Sequence, residues 1–264
     1  MNAEQQLHHA VKESNVSHIH TLIHSGANIN GLFYGWTPLQ YAISLAHGDI
    51  ALLLIEMGAD IHKLHHKTDG CALEGAIKKK LSKVVKALLD GGTNPNKCLS
   101  DGNPAIFTAL EMEDKDILKI LLESKADVNL VNKNGESALY LASRDGLSDI
   151  CQILIGGEAN VDFQSPETGN QTPLIVATAN EHSKVVKILL KNGCNTNLQD
   201  ADSWTALWHA YSNSDEDLMN LLLKSGADKG VPDADGRTLL EDAVENEDDS
   251  VVELLQRFTH HGTN

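Results

Sequence analysis

His20 and His24 stand four residues apart, the spacing that turns two imidazoles to one face of a helix where they could share a metal ion. Neither a cysteine nor a carboxylate at ligand spacing completes such a site, so a surface histidine pair without metal is expected. Cys71, Cys98, Cys151 and Cys194 contain no C-x-x-C pair. They read as reduced, structural thiols in a cytosolic or nuclear setting. There is no nucleophile elbow, no phosphate-cradling glycine loop and no carboxylate pair in a pocket-like context. The chain is therefore expected to be no enzyme, with no catalytic residue and no cofactor.

Charge narrows the partners further. The net charge of −16 argues against general binding to nucleic acid or to an anionic membrane. It is spread unevenly. Residues 215–253 carry 13 acidic and 3 basic side chains, whereas residues 62–97 carry 8 lysines against Asp69, Glu74 and Asp90. The longest apolar run, Ile50 to Ile55, is far too short to span a bilayer, and the N-terminal MNAEQQLHHAV lacks the basic-then-apolar layout of a signal peptide. A soluble protein is expected.

The elements that must position any site are written in the stretch Gly35 to His62, GWTPLQYAISLAHGDIALLLIEMGADIH. Thr37 can cap a helix whose first position is Pro38, where the missing N–H costs nothing. Leu39, Ala42 and Ile43 then share one face, and the short Ala42 lets a second helix approach. After a break at His47-Gly48, Ile50, Leu53 and Leu54 mark the buried stripe of that second helix, which Gly58 ends. Three columns carry this pattern down the chain. One runs Leu7, Leu39, Leu73, Ile106, Leu139, Leu174, Leu207, Leu240; the second is Ala10, Ala42, Ala76, Ala109, Ala142, Ala177, Ala210, Ala243; the third is Leu22, Leu54, Leu88, Leu121, Leu154, Leu189, Leu222, Leu255. The offsets of three and twelve residues never change, while the period varies between 32 and 35, so every length change falls outside the helix pair. Rigid helix pairs joined by adjustable loops predict a solenoid in which neighbouring pairs bury each other.

The chain resembles the ankyrin repeat family. Gly35-Trp36-Thr37-Pro38-Leu39 and Thr172-Pro173-Leu174 match its G-x-T-P-L stretch, Val185-Val186 before Leu189-Leu190 its I-V-x-x-L-L, and Gly58-Ala59-Asp60 and Ala126-Asp127-Val128-Asn129 its G-A-D-V-N. The resemblance covers the chain and implies an all-α ankyrin-repeat solenoid of about eight helix-turn-helix repeats with β-hairpin-like finger loops. The expected organisation is a single domain, 1–264, of repeats 1–30, 31–62, 63–97, 98–130, 131–162, 163–197, 198–230 and 231–264, the first and last being polar caps. The histidine of the family's T-P-L-H is replaced by Gln40, Glu74, Phe107, Tyr140, Ile175 and Trp208, and Lys125 and Glu158 occupy glycine positions. Both departures predict softer middle repeats.

The family binds partners through the finger residues and the end of each first helix, lining a concave groove. Mapped onto this sequence, the slots of residues 31–62 hold Phe33, Tyr34, Trp36, Ser44 and Leu45, and those of the next repeat hold Lys67, Thr68, Lys78 and Lys79. Aromatic anchors beside lysines suit a protein surface or an acidic or phosphorylated segment. Met112 and Trp204 complete the candidate partner-binding set, while Trp208 is expected in the core. The implied function is a non-catalytic interaction adaptor, a monomer, whose partner is another protein and whose acid-rich C-terminal end would face a basic surface. Two alternatives use the same surface. Trp36 and Lys67 resemble the pair with which the 2-5A-dependent ribonuclease holds an oligoadenylate, although its second stacking aromatic falls at Asn103, which would imply a nucleotide or polyphosphate sensor. The acidic run Glu245 to Asp249 resembles the export signals of some bacterial effectors, which would imply a host-directed protein. Asn129 resembles the asparagines that a cytosolic oxygenase hydroxylates in this family.

Overall fold

The computed structural model describes residues 2–63, 71–97 and 99–258. Its helices fall into two compact units, Met1–Lys133 and Asn134–Asn264. The first unit holds four helix hairpins: α1 (Ala3–Lys12) with α2 (Val16–His24), α3 (Pro38–Ser44) with α4 (Gly48–Glu56), α5 (Ala72–Lys78) with α6 (Ser82–Asp90), and α7 (Ala105–Glu111) with α8 (Lys115–Glu123). The second holds α9 (Ala138–Arg144) with α10 (Ser148–Gly156), α11 (Pro173–Ala179) with α12 (Ser183–Lys191), α13 (Ala206–Ser212) with α14 (Glu216–Lys224), and α15 (Leu239–Glu245) with α16 (Asp249–Arg257), plus a short 3-10 turn, Pro166–Thr168. Within the first unit α1, α3, α5 and α7 pack in succession, as do α4, α6 and α8. Within the second, α11 lies between α9 and α13, and α10 packs on α12. Among the described residues no helix is long and apolar enough to cross a membrane.

The constant spacing of the columns has a hydrogen-bonding cause. Each first helix ends with its last turn closed backwards: the N–H of His47 donates to the carbonyl of Ala42, that of Leu81 to Ala76, Leu147 to Ala142, and Asp215 to Ala210. The second helices α2 to α14 repeat the device on the third column, with Ala59 donating to Leu54, Thr93 to Leu88 and Ala159 to Leu154. Such a Schellman closure needs one left-handed residue just past the helix. An insertion between the columns would break one of the two closures, so variation is confined to the fingers.

The second closure of repeats 4 and 5 places Lys125 (φ 64°) and Glu158 (φ 67°) in the left-handed region where most other repeats use glycine. Side chains with a Cβ are strained there, whereas glycine is not. Lys125→Gly and Glu158→Gly are each expected to raise stability by about 0.5–1 kcal/mol in urea titrations.

The columns are buried as their periodicity requires, with Leu73 and Leu174 each 1% exposed. Two members differ. Leu22 and Leu240 are only half-buried, because each lies in a terminal hairpin that is covered from one side. On α4 the buried stripe is Ile50, Ala51 and Leu54, so Leu53 is half-buried where the sequence reading puts it inside. The same i, i+1, i+4 face recurs as Val84, Val85 and Leu88 and as Ile117, Leu118 and Leu121. A helix sandwiched between its own hairpin mate and a neighbour needs that wider face.

Loss of the T-P-L-H histidine does not leave the repeats unbonded. Gln40 Nε2 donates to the Lys63 carbonyl at 2.7 Å, Tyr140 Oη to Gln171 Oε1 at 3.3 Å, and Trp208 Nε1 to the Val231 carbonyl at 3.2 Å. Glu74 instead accepts, from the Ser100 N–H at 3.1 Å and from its hydroxyl. Where Ile175 cannot bond, Gln164 of the lengthened finger donates to the Gln199 carbonyl at 2.9 Å. The slot's side chain, or at Ile175 a finger residue of the same repeat, bonds the next finger, and the chemistry of that bond varies from repeat to repeat. At these five repeats other groups thus supply bonds between successive fingers in place of the absent histidine.

Burial pushes the Cys151 thiol up to about 11 and the Cys194 thiol up to about 12, leaving both neutral and unreactive. Cys71 caps α5, its sulfur accepting from the Glu74 N–H. Cys98 lies outside the described residues.

Candidate functional site

The finger of the second repeat is a two-residue hairpin loop. Phe33 and Trp36 exchange both backbone hydrogen bonds, at 3.0 and 3.1 Å, and form an antiparallel bridge. Tyr34 (φ 52°) and Gly35 (φ 85°) are both left-handed, the type I′ arrangement that favours Asn-Gly. Glycine meets that demand at no cost. A tyrosine meets it only with strain, and Tyr34 is 81% exposed, its ring edge-on to that of Phe33.

The aromatic group of this finger is divided between two neighbourhoods. Phe33 turns inward, half-buried, with its ring 5.4 Å from that of buried His8 and 4.4 Å from Tyr34. His8 Nε2 donates to the Trp36 carbonyl at 3.0 Å, which pins this finger to α1. Trp36 lines a groove of about 220 Å³ between α3 and α5, together with Ser44, Glu74, Lys78 and Lys79. Gly75 forms its floor, where a Cβ would lie 3.0 Å from Ile43 Cγ2. Glycine here lets α5 close on α3.

The electrostatics of the groove centre on Glu74, which is 5% exposed. Burial pushes its carboxyl up, but hydrogen bonds from Lys78 Nζ at 2.6 Å and from Ser100 outweigh that and hold it below the usual carboxylate range. The hydrogen bond to Glu74 likewise holds the Lys78 ammonium above its ordinary value. Lys78 is thus half committed to the scaffold. Lys79 caps α5 and is exposed on the groove wall.

Leu45, Lys79 and Met112 are the C-cap residues of α3, α5 and α7, the same place on three successively packed helices. Leu45 and Met112 are half-buried, and the Met112 carbonyl accepts from Lys80 Nζ at 2.9 Å. Lys67 and Thr68 lie outside the described residues. Asn103 is 7% exposed, bonded to Asp101 and accepting from the Lys133 N–H at 3.0 Å. It is a structural residue of its finger, with no face to offer a base.

In the second unit Trp204 is half-buried, stacked on Trp208 with ring centres 6.2 Å apart and 20° between planes, and edge-on to His209 at 5.2 Å. Trp208 is buried, as the sequence reading expects. Buried Asp200 fixes this finger: it accepts the N–H groups of Asp202 and Trp204 at 3.0 and 2.9 Å and pairs with His209 Nε2 at 2.7 Å. His20 and His24 lie 6.1 Å apart between ring centres, and His24 Nδ1 bonds the His20 carbonyl. Among the described residues no group of three or more metal-ligating side chains converges. The residue sequence reasoning missed is Glu74. It reads as a departure from T-P-L-H, its i, i+4 spacing from Lys78 being the available signal, and the packing shows that it ties Lys78 to Ser100 of the next finger.

A family model described as Ankyrin repeats (3 copies) matches residues 2–65, 73–167, 124–200, 155–233 and 174–263. Among curated relatives, the chain is 32% identical over 108 residues to the mouse (Mus musculus) protein named Ankyrin repeat, SAM and basic leucine zipper domain-containing protein 1, a match covering 39% of this chain and 22% of the relative. The platypus (Ornithorhynchus anatinus) protein of the same name is 28% identical over 113 residues, covering 41% of this chain and 24% of the relative. The match therefore spans less than a quarter of the length of these relatives. Among solved structures, the crystal structure of the ankyrin repeat domain of Bcl-3, titled a unique member of the IkappaB protein family, superposes with a TM-score of 0.68 at 25% identity, covering 77% of this chain and 92% of that one.

Proposed function

Because the chain belongs to the ankyrin repeat family, whose repeats generally serve as protein-interaction modules, we propose that it is a non-catalytic adaptor that binds another protein through the groove beside Trp36. In this reading all eight repeats act as one domain and one monomer, in a cytosolic or nuclear setting. The observation that carries it is Tyr34. A strained, 81% exposed aromatic at a hairpin tip is a cost to folding that a contact with a partner would explain. Trp36 supplies the apolar wall next to it, and Lys79 with Lys78 supplies positive charge for an acidic or phosphorylated segment. Leu45 and Met112 extend that row, and Lys67 belongs to the same repeat as the lysines.

The test separates folding from binding. Tyr34→Asn is expected to be more stable than the parent by about 1 kcal/mol, since asparagine tolerates the left-handed conformation. The same variant, and Trp36→Ala, are expected to retain at least tenfold less of any specifically captured partner in affinity pull-downs. Equal capture by parent and variants would exclude this surface. The nucleotide-sensor alternative is weakened by Asn103, which is buried and bonded within its own finger where a second stacking aromatic is needed. It predicts a thermal shift with nucleotides or polyphosphate, reaching about 2.7 kcal/mol at a hundredfold excess over Kd. The effector alternative has no support beyond the acidic run.

A further inference from the structure

The second unit contains a pocket of about 340 Å³ whose walls differ in kind. One wall is aromatic, made by Trp204, Trp208 and Tyr211; the stacked indoles are followed by Tyr211, whose ring centre is 6.3 Å from that of Trp208 and nearly perpendicular to it. The facing wall comes from the next finger and helix and carries Asp233, Asp235, Asp242 and Arg237. Arg237 bonds Asp233 at 3.2 Å and Asp242 at 3.3 Å, and lies 3.7 Å from Asp235 and 3.6 Å from Glu245. Four carboxylates thus surround one guanidinium, a surplus of three negative charges, and the Asp235 carboxylate remains 80% exposed.

An aromatic face attracts a cation through its quadrupole, and a carboxylate at the rim adds direct charge attraction. The volume is at the low end for a ligand pocket, suited to one side chain more than to a cofactor. An anion would meet the surplus charge and gain nothing from the indoles. The acid-rich segment 215–253 around it, with 13 acidic against 3 basic residues, would draw in a basic chain from a distance.

We propose that this pocket receives a single cationic side chain, lysine or arginine, projecting from a basic segment of a partner protein. The proposal rests on the adaptor reading and names the chemistry of a second contact, independent of the Trp36 groove.

The experiment is fluorescence polarisation with the full chain and labelled peptides in which glycine alternates with lysine, arginine, trimethyl-lysine or glutamate. The cationic peptides are expected to bind and the glutamate peptide not to. Trp204→Ala and Asp235→Asn are each expected to weaken that binding roughly tenfold, and Trp36→Ala to leave it unchanged. The ranking of the three cationic peptides tells a guanidinium site from an ammonium or methylammonium site. Asp235→Asn changes an exposed carboxylate and keeps its shape, so its effect reports binding even if Trp204→Ala disturbs the fold. Binding that ignores both Asp235→Asn and Trp204→Ala but vanishes with salt would be diffuse attraction to an acidic surface, and would overturn the pocket. So would equal binding of the glutamate peptide, or no binding by any cationic one. None of these outcomes touches the Tyr34 and Trp36 capture test, so the two readings fail separately.

Discussion

Leu88→Ala should lower the stability of the first unit by about 3 kcal/mol, whereas Leu22→Ala, in the same column, should cost less than about 1.5 kcal/mol. Leu88 is fully buried on α6, between α4 and α8, and its carbonyl closes the helix by accepting from Thr93. Truncation there leaves a cavity with walls on both sides that cannot collapse. Leu22 is half-buried in the first hairpin, so water already covers part of it. Because each hairpin is stabilised by its neighbours, loss at α6 should also uncouple its two sides. Urea unfolding followed by circular dichroism is expected to show a lower midpoint together with a smaller slope for Leu88→Ala, the mark of a transition that has lost cooperativity. Equal effects at Leu22 and Leu88 would mean that the columns do not carry the fold.

Glu74→Ala is expected to cost about 3 kcal/mol, since it removes a buried acceptor of two bonds from Ser100 and one from Lys78 and leaves the Ser100 N–H without its partner. Its pH dependence follows from the direction of the shift. The folded carboxyl is held below the ordinary glutamate value of 4.5, so its contribution is present above that pH and is lost as pH falls through the lower folded value. The parent should therefore lose more stability than Glu74→Gln on acidification below about pH 4.5. Melting curves of the two proteins across that range check the sign. Parallel loss in both would mean that Glu74 is not the group responsible. Restoring Glu74→Ala at neutral pH by Glu74→Gln should be partial, because the amide keeps one acceptor and loses the charge that draws Lys78.

Much of this arrangement is legible in the residues. The columns give the hairpins, and Thr37, Thr172 and Thr205 give the helix starts, each accepting the N–H three residues on. Lys125 and Glu158 were visible as misfits, and both adopt positive φ. Less of the groove could be read. Phe33, Tyr34 and Trp36 form one cluster on paper, yet Phe33 packs on His8 of the preceding repeat while Trp36 lines the groove with Lys78 and Lys79 of the following one. Lys78 reads as a free charge although its i, i+4 spacing from Glu74 is the signal for their ion pair; only the fold shows that Ser100 holds the same carboxylate. Arg237 and Asp242 are five residues apart, and their meeting opposite Trp204 needed the finger and the helix to be packed together.

By itself the sequence determined what depends on local periodicity: a 33-residue beat of buried leucine and alanine, closed at fixed points by backbone hydrogen bonds, admits few folds other than stacked helix hairpins. Tertiary structure decided which polar side chains serve the scaffold and which face a partner. That division depends on distances between residues 23 and 26 positions apart, such as Gln40 to Lys63 and Glu74 to Ser100, and on the burial that makes an unpaired polar group costly. Neither quantity has a signature in the local order of the chain.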